Sequence, residues 1–490
     1  MSRVPPNIAI IGAGLSGLAC ARALTAAGLR FTIYEAADAV GGRVRSDVVD
    51  GFTLDRGFQV LLPSYPEARR VLDYENLKLR PFFRGADVFY KGRFHRLADP
   101  LTHPKDAVLH GFDPFVSWLD KWHTIVLRKE VLTTRKIERR LPEMETEDYL
   151  RDFGFSEEFI DRFFRAFFGG VFLEKDLRTS ARMFLFLYSM FSTGGAAIPA
   201  HGMQAIPDQM AIALPPGSLR LNSPVAAVRA GEITLHSGEV VPVDHIIVAV
   251  SEEVAAQLIP QALPEKLLPG RSTTCLYFTT DLPVPETPTI YLDGDGRGPV
   301  NSACVLSKIA PDYAPAGRHL ISASIIGAPC SHELEGVVRD QMAAWFGEAA
   351  YQWHHLRSYQ IRNALPEARQ LRLGEGPLST VLAPGLYRCG DWCEDASING
   401  ALISGRRAAE AVIGRGGGSN QSSVVSIQCS GGGGAFVLCF TAEGRRSRGR
   451  RECLLFGLTM SESHPFEPNP NLCHLRPFAP LRLKAHAPAA

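Results

Sequence analysis

Residues Asn7 to Glu35 read NIAIIGAGLSGLACARALTAAGLRFTIYE, and few local folds accommodate that string. The apolar run Ile8 to Ile11 reads as a strand. Gly12, Gly14 and Gly17 follow, then an alanine- and leucine-rich helix ending near Gly28, then a second strand, Phe31 to Tyr34, closing on Glu35. Gly12 permits a tight turn, Gly14 lets backbone approach a pyrophosphate, and Gly17 lets helix pack closely on strand. The helix start, with Ala13, Leu15 and Ser16, offers N–H groups and the positive end of a dipole to an anion. Glu35, flanked by Ala36, is placed to accept hydrogen bonds from ribose hydroxyls, and an acid there argues against a 2′-phosphate. The unit predicts a doubly wound parallel α/β sheet of the Rossmann type and an adenine dinucleotide, NAD or FAD.

Just after the second strand stands AADAVGGRVRSD, in which Gly41-Gly42-Arg43 can lay backbone amides and a guanidinium against a pyrophosphate. This GGR resembles the signature of FAD enzymes in the amine oxidase, phytoene desaturase and protoporphyrinogen oxidase superfamily. GFTLDRGFQVL, with Gly57, resembles the D-x-G hairpin that follows it there, and HGMQAIPDQMA from His201 resembles the G-M-x-x-[IL]-P turn and helix. An alternating stretch with turns at Gly231 and Gly238 then reads as a β-hairpin leading to the apolar strand Ile246 to Val250. The resemblance implies that backbone at Val225 meets the adenine.

Near the other end, CGDWCEDASINGALISG opens on a short strand, Leu386 to Cys389, and passes through Gly390-Asp391 to a helix starting at Asn399-Gly400 and closing at Gly414. In the similar enzymes this Asp serves the ribityl chain and this helix start, with Ile398 and Ala401, lies beneath the flavin pyrimidine. A helix N-terminus there stabilises the negative charge of reduced flavin. The resemblance is closest to phytoene-desaturase-like members and implies FAD, an oxidoreductase activity, and hydride transfer from a C–H bond of an organic, apolar substrate. Two alternatives stand beside it: a flavin amine oxidase, and a non-catalytic lipid-binding protein resembling Rab GDP-dissociation inhibitors.

A discontinuous FAD-binding domain is expected from residues 1–72, 197–260 and 377–415, interleaved with an α+β substrate or cap domain from 73–196 and 261–376. In the cap, SEEFIDRFFRAFFGG carries Phe159, Phe163, Phe164, Phe167 and Phe168, with Ser156 as N-cap and Gly169-Gly170 as stop; core packing and lining of an apolar cavity are both open. RSTTCLYFTTDLP from Arg271 resembles the strand below the flavin's reactive face. Amine oxidases carry a lysine there, where this chain has Thr273 and Thr274, and Lys308 reads as an exposed loop residue. The catalytic residues stay unassigned.

Hydrophobic residues make up 46% of the chain and the formal net charge is +1, so nothing global points to nucleic acid. The most apolar run, Met183 to Phe191, is too short to span a bilayer, which leaves a peripheral membrane contact open. The first residues lack the features of a secretory signal, and ten scattered cysteines read as free thiols, so a cytoplasmic setting is expected. Cys389 and Cys393 do not have redox or zinc spacing, and no metal-ligand motif occurs. Residues 416–490 are glycine-rich, then basic (RRSRGRR from Arg445), then proline-rich, and are expected to be a disordered tail.

Overall fold

The computed structural model describes residues 6–111, 113–134, 141–262, 269–331, 333–367 and 378–416. The expectations for the tail therefore lie outside the described residues.

Strand β1 (Ile8–Ile11), helix α1 (Leu15–Ala26) and β2 (Phe31–Tyr34) form the βαβ unit. All four residues of β1 are buried, as a parallel strand with both faces covered requires. It sits inside a six-stranded sheet ordered Val381–Ala383, Leu386–Arg388, His245–Val248, β1, β2, Leu219–Arg220. Every pairing is parallel except that of Val381–Ala383, with Ile10 opposite Ile247 on one side and Ile33 on the other. Three distant stretches thus meet in one sheet, which places the carboxyl ends of β1 and of strands His245–Val248 and Leu386–Arg388 at one edge.

A second sheet of seven strands takes Gly85–Tyr90 and Arg93–Ala98 from one insertion and five strands between Arg271 and Leu365 from the other. One parallel pair, Tyr291 opposite Asp87, joins the two insertions. Strand β3 (Arg271–Thr280) lies between Leu320-bearing strand His319–Ile326 and the edge strand His354–Leu365, which carries His354 and His355. One hydrophobic core runs through both sheets' territory, from Ile10 and Leu18 to Phe164, Tyr277 and Leu402.

The phenylalanine-rich helix differs from its expected form. Ser156 does cap it, its hydroxyl accepting from the Phe159 N–H at 3.2 Å. Residues Ile160–Arg165 then form a π-helical turn, and an α-helix Ala166–Phe172 runs straight through Gly169-Gly170 to end at Leu173, whose φ is 54°. The glycines are packing positions: a Cβ at Gly169 would meet the Glu174 carbonyl oxygen at 2.7 Å, and one at Gly170 the Asn301 amide at 2.6 Å. Two longer helices are α2 (Trp118–Thr133) and the last described element, α3 (Ile398–Gly416). The latter begins one residue earlier than expected and passes Gly414. It packs on α1 so closely that a Cβ on Gly405 would overlap the Ser16 carbonyl oxygen.

The hairpin Ser46–Val49/Phe52–Asp55 is tied to its surroundings by one buried carboxylate. Asp55 accepts from Ser46 Oγ (2.5 Å), the Met203 N–H (2.9 Å) and the Tyr313 hydroxyl (2.9 Å), while its carbonyl accepts from Tyr277 OH (2.8 Å). Burial pushes its pKa up to about 6, the hydrogen bonds opposing. A carboxyl whose folded pKa is raised contributes stability that is fully present below its unfolded pKa and is lost as pH rises through the folded one. Asp55→Asn keeps an acceptor and removes the charge. We predict that its unfolding free energy relative to wild type rises by on the order of 2 kcal/mol between pH 4 and pH 7. Urea titrations at both pH values check this; an unchanging difference would show that Asp55 is ionised throughout.

Candidate active site

One cavity of about 1440 Å³ spans the edge of the first sheet and the face of the second. That exceeds the roughly 300–1,000 Å³ of an ordinary small-molecule pocket, leaving room for a dinucleotide and a substrate together.

At one end stand the glycines. Gly12 has φ of +100°, and a Cβ there would lie 2.8 Å from the Ala249 carbonyl oxygen, so the turn out of β1 requires glycine. Gly17 is closed off differently, its notional Cβ overlapping the Gly12 carbonyl oxygen. Gly14 is the reverse case: nothing lies within 4 Å of where its Cβ would be, and the open space is the cavity. It is also the N-cap of α1, and no side chain caps that helix. Glu35 holds its carboxylate at the same place, accepting from the Ala13 N–H at 2.6 Å and the Ala37 N–H at 2.9 Å. An uncapped helix start facing empty space, with a carboxylate acceptor 22 residues beyond Ala13, fits the pyrophosphate and ribose of an adenine dinucleotide.

The second half comes from the far end of the chain. Gly390, Asp391, Ile398 and Ala401 line the cavity opposite Gly42 and Arg43. Arg43 bridges the halves, donating to Asp391 Oδ1 at 2.6 Å and to the Ala364 carbonyl at 2.8 Å. Cys389 and Cys393 are buried free thiols whose pKa values burial pushes up, so neither is a thiolate. Among the described residues no cluster of three potential metal ligands occurs.

Of the expected contact residues, Gly12, Gly14, Leu15, Ser16, Glu35, Gly41, Gly42, Arg43, Gly57, Gly390, Asp391, Ile398 and Ala401 line this cavity. Ala13, Gly17, Ala36, Val225, Asn399 and Gly400 do not. The Gly41 amide donates to the Ala13 carbonyl at 2.9 Å, which ties the GGR turn to the glycine loop and removes that amide from service to a ligand. Asn399 is buried and accepts from the Glu67 N–H at 3.1 Å, holding the start of helix Pro66–Val71. Gly400 donates to Ser397 Oγ at 3.1 Å, and a Cβ there would overlap the Asp395 carbonyl oxygen.

On strand β3, Arg271 and Thr273 face the cavity and Thr274 points away, as period-two alternation dictates. Thr273 Oγ1 donates to the Ile325 carbonyl at 3.0 Å, and Thr274 Oγ1 to that of Gly327 at 3.0 Å. Lys308 is outside the cavity and is not a loop residue: it belongs to helix Leu306–Ile309 and pairs with Glu286 at 2.8 Å. The phenylalanines divide between the two open readings. Phe164 is wholly core, whereas Phe159, Phe163, Phe167 and Phe168 line the chamber with Leu187, Leu292 and Ile325.

Sequence reasoning missed Arg271 itself, though alternation from Thr273 would have found it. Its Nη2 lies 2.5 Å from Glu367 and 3.0 Å from Glu174, and Nη1 donates to the Phe172 carbonyl and Thr179 Oγ1, both at 2.8 Å. It also missed Arg128, which pairs with Asp99 at the chamber's outer wall; no sequence signal marks that pair.

Comparison with known proteins agrees with this architecture. The family described as flavin containing amine oxidoreductase matches residues 15–413. Protoporphyrinogen oxidase 2 of Arabidopsis thaliana is 28% identical over 168 residues, 34% of this chain and 32% of that protein. Phytoene dehydrogenase of Streptomyces griseus is 26% identical over 378 residues, covering 66% of this chain and 73% of the relative. Putrescine oxidase of Kocuria rosea is matched over 24% of its length, so the alignments span about a third and a quarter of two of these relatives. Among solved structures, an oxidoreductase from Methanosarcina mazei superposes with a TM-score of 0.63 at 18% identity, covering 83% of this chain and 99% of that one. Putrescine oxidase bound to putrescine gives 0.61 at 18%, covering 84% and 100%. With two distant halves of the chain meeting across one cavity and the family matched over most of its length, the chain belongs to the flavin-containing amine oxidoreductases.

Proposed function

We propose that the protein takes hydride from a C–H bond of an apolar organic substrate, in the manner of a desaturase or oxidase. Bound FAD supplies the hydride acceptor, while the chain binds, orients and excludes water. Glu35 and the start of α1 would hold the adenosine and pyrophosphate end, and Gly42, Arg43, Asp391 and the start of α3 the flavin end.

The observation that carries the apolar reading is the chamber's phenylalanine-rich wall with its three arginines, in which two of the cavity's four carboxylates are ion-paired and the other two are held by amides. Those carboxylates are Glu35, Asp99, Glu253 and Asp391. Glu35 holds two backbone amides, Asp99 pairs with Arg128, Glu253 accepts from Asn363, and Asp391 pairs with Arg43. A substrate ammonium would have to pass Arg84, Arg96 and Arg128 in the same wall, where the carboxylate of Asp99 is already paired with Arg128. The walls beyond Thr273 are mostly phenylalanine, leucine and isoleucine, with Asn301, Ser302 and Ser324 among them, and the Thr273 hydroxyl is already donated to backbone.

Anaerobic mixing tests this reading. Polyamines and aromatic amines are predicted to leave the flavin oxidised, and isoprenoid or tetrapyrrole-like compounds to bleach its visible band. Rapid bleaching by a primary amine would restore the amine oxidase alternative, and a protein that binds lipid but shows no reducible flavin would favour the carrier one.

A further inference from the structure

More than half of the exposed large apolar side chains among the described residues fall between Leu101 and Leu132. Their arrangement on α2 follows from spacing. Asp120, Thr124, Leu127 and Val131 recur at i, i+4, i+7 and i+11 and form the inward stripe, with Leu127 at 0% and Val131 at 8% exposure. A second stripe of the same period, Trp118, Trp122, Ile125, Lys129 and Leu132, faces outward, where polar residues are the rule. Trp118 is 68% exposed and Trp122 61%. Leu101 precedes the neighbouring helix Pro104–Leu109, which adds Val108 and Leu109, at 70% and 75%.

Two further observations select what covers this face. Most acids along this face are held by partners: Asp120 is buried and bonded to Ser117 and Ser156, while Asp99, Asp106 and Asp113 lie against Arg128, Arg96 and His95; Glu130 is half-buried. The exposed charges among the described residues 101–134 are Lys105 and Lys129, so the face is apolar with a cationic fringe. Tryptophan, long aliphatic chains and lysine together are the chemistry of the boundary between hydrocarbon and anionic headgroups. Moreover, Val108, Trp118, Lys121 and Ile125 also line the cavity, so the patch is the rim of the chamber's mouth.

We propose that this face docks on an anionic lipid bilayer and sets the mouth of the chamber against the hydrocarbon, so that an apolar substrate passes from membrane to active site without crossing water. The passage rests on the apolar-substrate reading above; the docking does not. No described helix is long and apolar enough to cross a membrane.

The test uses the full-length flavoprotein and vesicles of three parts phosphatidylcholine to one part phosphatidylglycerol. Wild type should cosediment, and brominated lipid should quench its tryptophan fluorescence. The Trp118→Ser/Trp122→Ser variant should partition about tenfold or more weakly while keeping the flavin spectrum of wild type. A variant with the five arginines of Arg445 to Arg451 changed to serine should still bind, separating the face from the basic run. Undiminished binding by the tryptophan variant, or absence of quenching in wild type, overturns the proposal. So does a wild-type dimer that the variant breaks without vesicle binding, since a second copy would then cover the face. Turnover of an apolar substrate in detergent without vesicle binding would sink the docking alone.

Discussion

Gly14→Val will fold and elute colourless. The backbone at Gly14 is extended, with φ −70° and ψ 176°, a conformation valine adopts readily, and the space beyond its Cα is empty. Loss of glycine at the N-cap changes stability by no more than about 1 kcal/mol. The side chain would project into the space through which a pyrophosphate must approach the amides of α1, and overpacking of that kind lowers affinity by about 10- to 100-fold or more. Gly17→Val is the control with the opposite pattern. Its Cβ would overlap backbone, not empty space, so helix and strand must separate and the fold itself fails. Flavin titration beside chemical denaturation distinguishes the two. A yellow Gly14→Val protein of wild-type affinity would place the dinucleotide elsewhere.

The second large effect is expected at Arg271. Arg271→Leu should lower the free energy of unfolding by about 3–5 kcal/mol, because it leaves Glu174 and Glu367 in a buried position without the guanidinium that neutralises them. Both carboxylates are nearly enclosed, at 12% and 13% side-chain exposure, so solvent compensates little. Arg271→Leu/Glu367→Gln should recover part of the loss by removing one of the stranded charges. Denaturation of the three proteins measures this, and a single variant as stable as wild type would show that water replaces the guanidinium. Since Arg271 also lines the chamber beside Thr273, the destabilised variant should lose turnover together with thermal stability.

What could be read beforehand was local. The run from Ile8 to Glu35 carries its strand, turn, helix and strand in adjacent residues, so spacing alone placed β1, α1 and β2. The GGR turn and the final helix were legible as segments, but the bond from Gly41 to Ala13 and the use of Asn399 to hold Glu67 depend on elements brought together from afar. Gly169-Gly170 looked like a stop because glycine ends helices; the cause of the glycines was Glu174 and Asn301, the latter more than 130 positions distant. Lys308 was misread for a related reason, since its partner Glu286 lies on a different segment. The seven-stranded sheet was the least visible, because its key parallel pair joins residues 87 and 291.

The bridge between Arg43 and Asp391 has a consequence for how the protein is made. Its partners are 348 positions apart, and helix α3, which covers Ser16 and closes that end of the cavity, is the last described element. A ribosome adding roughly 5–20 residues per second needs about 17–70 s to travel from one to the other. Throughout that interval the glycine loop has emerged and its partner has not, so the nascent chain carries a half-built pocket with apolar faces of α1 uncovered. The cavity consequently closes only once α3 has been made, and chains interrupted before Asp391 expose that half-built pocket to chaperones and proteases.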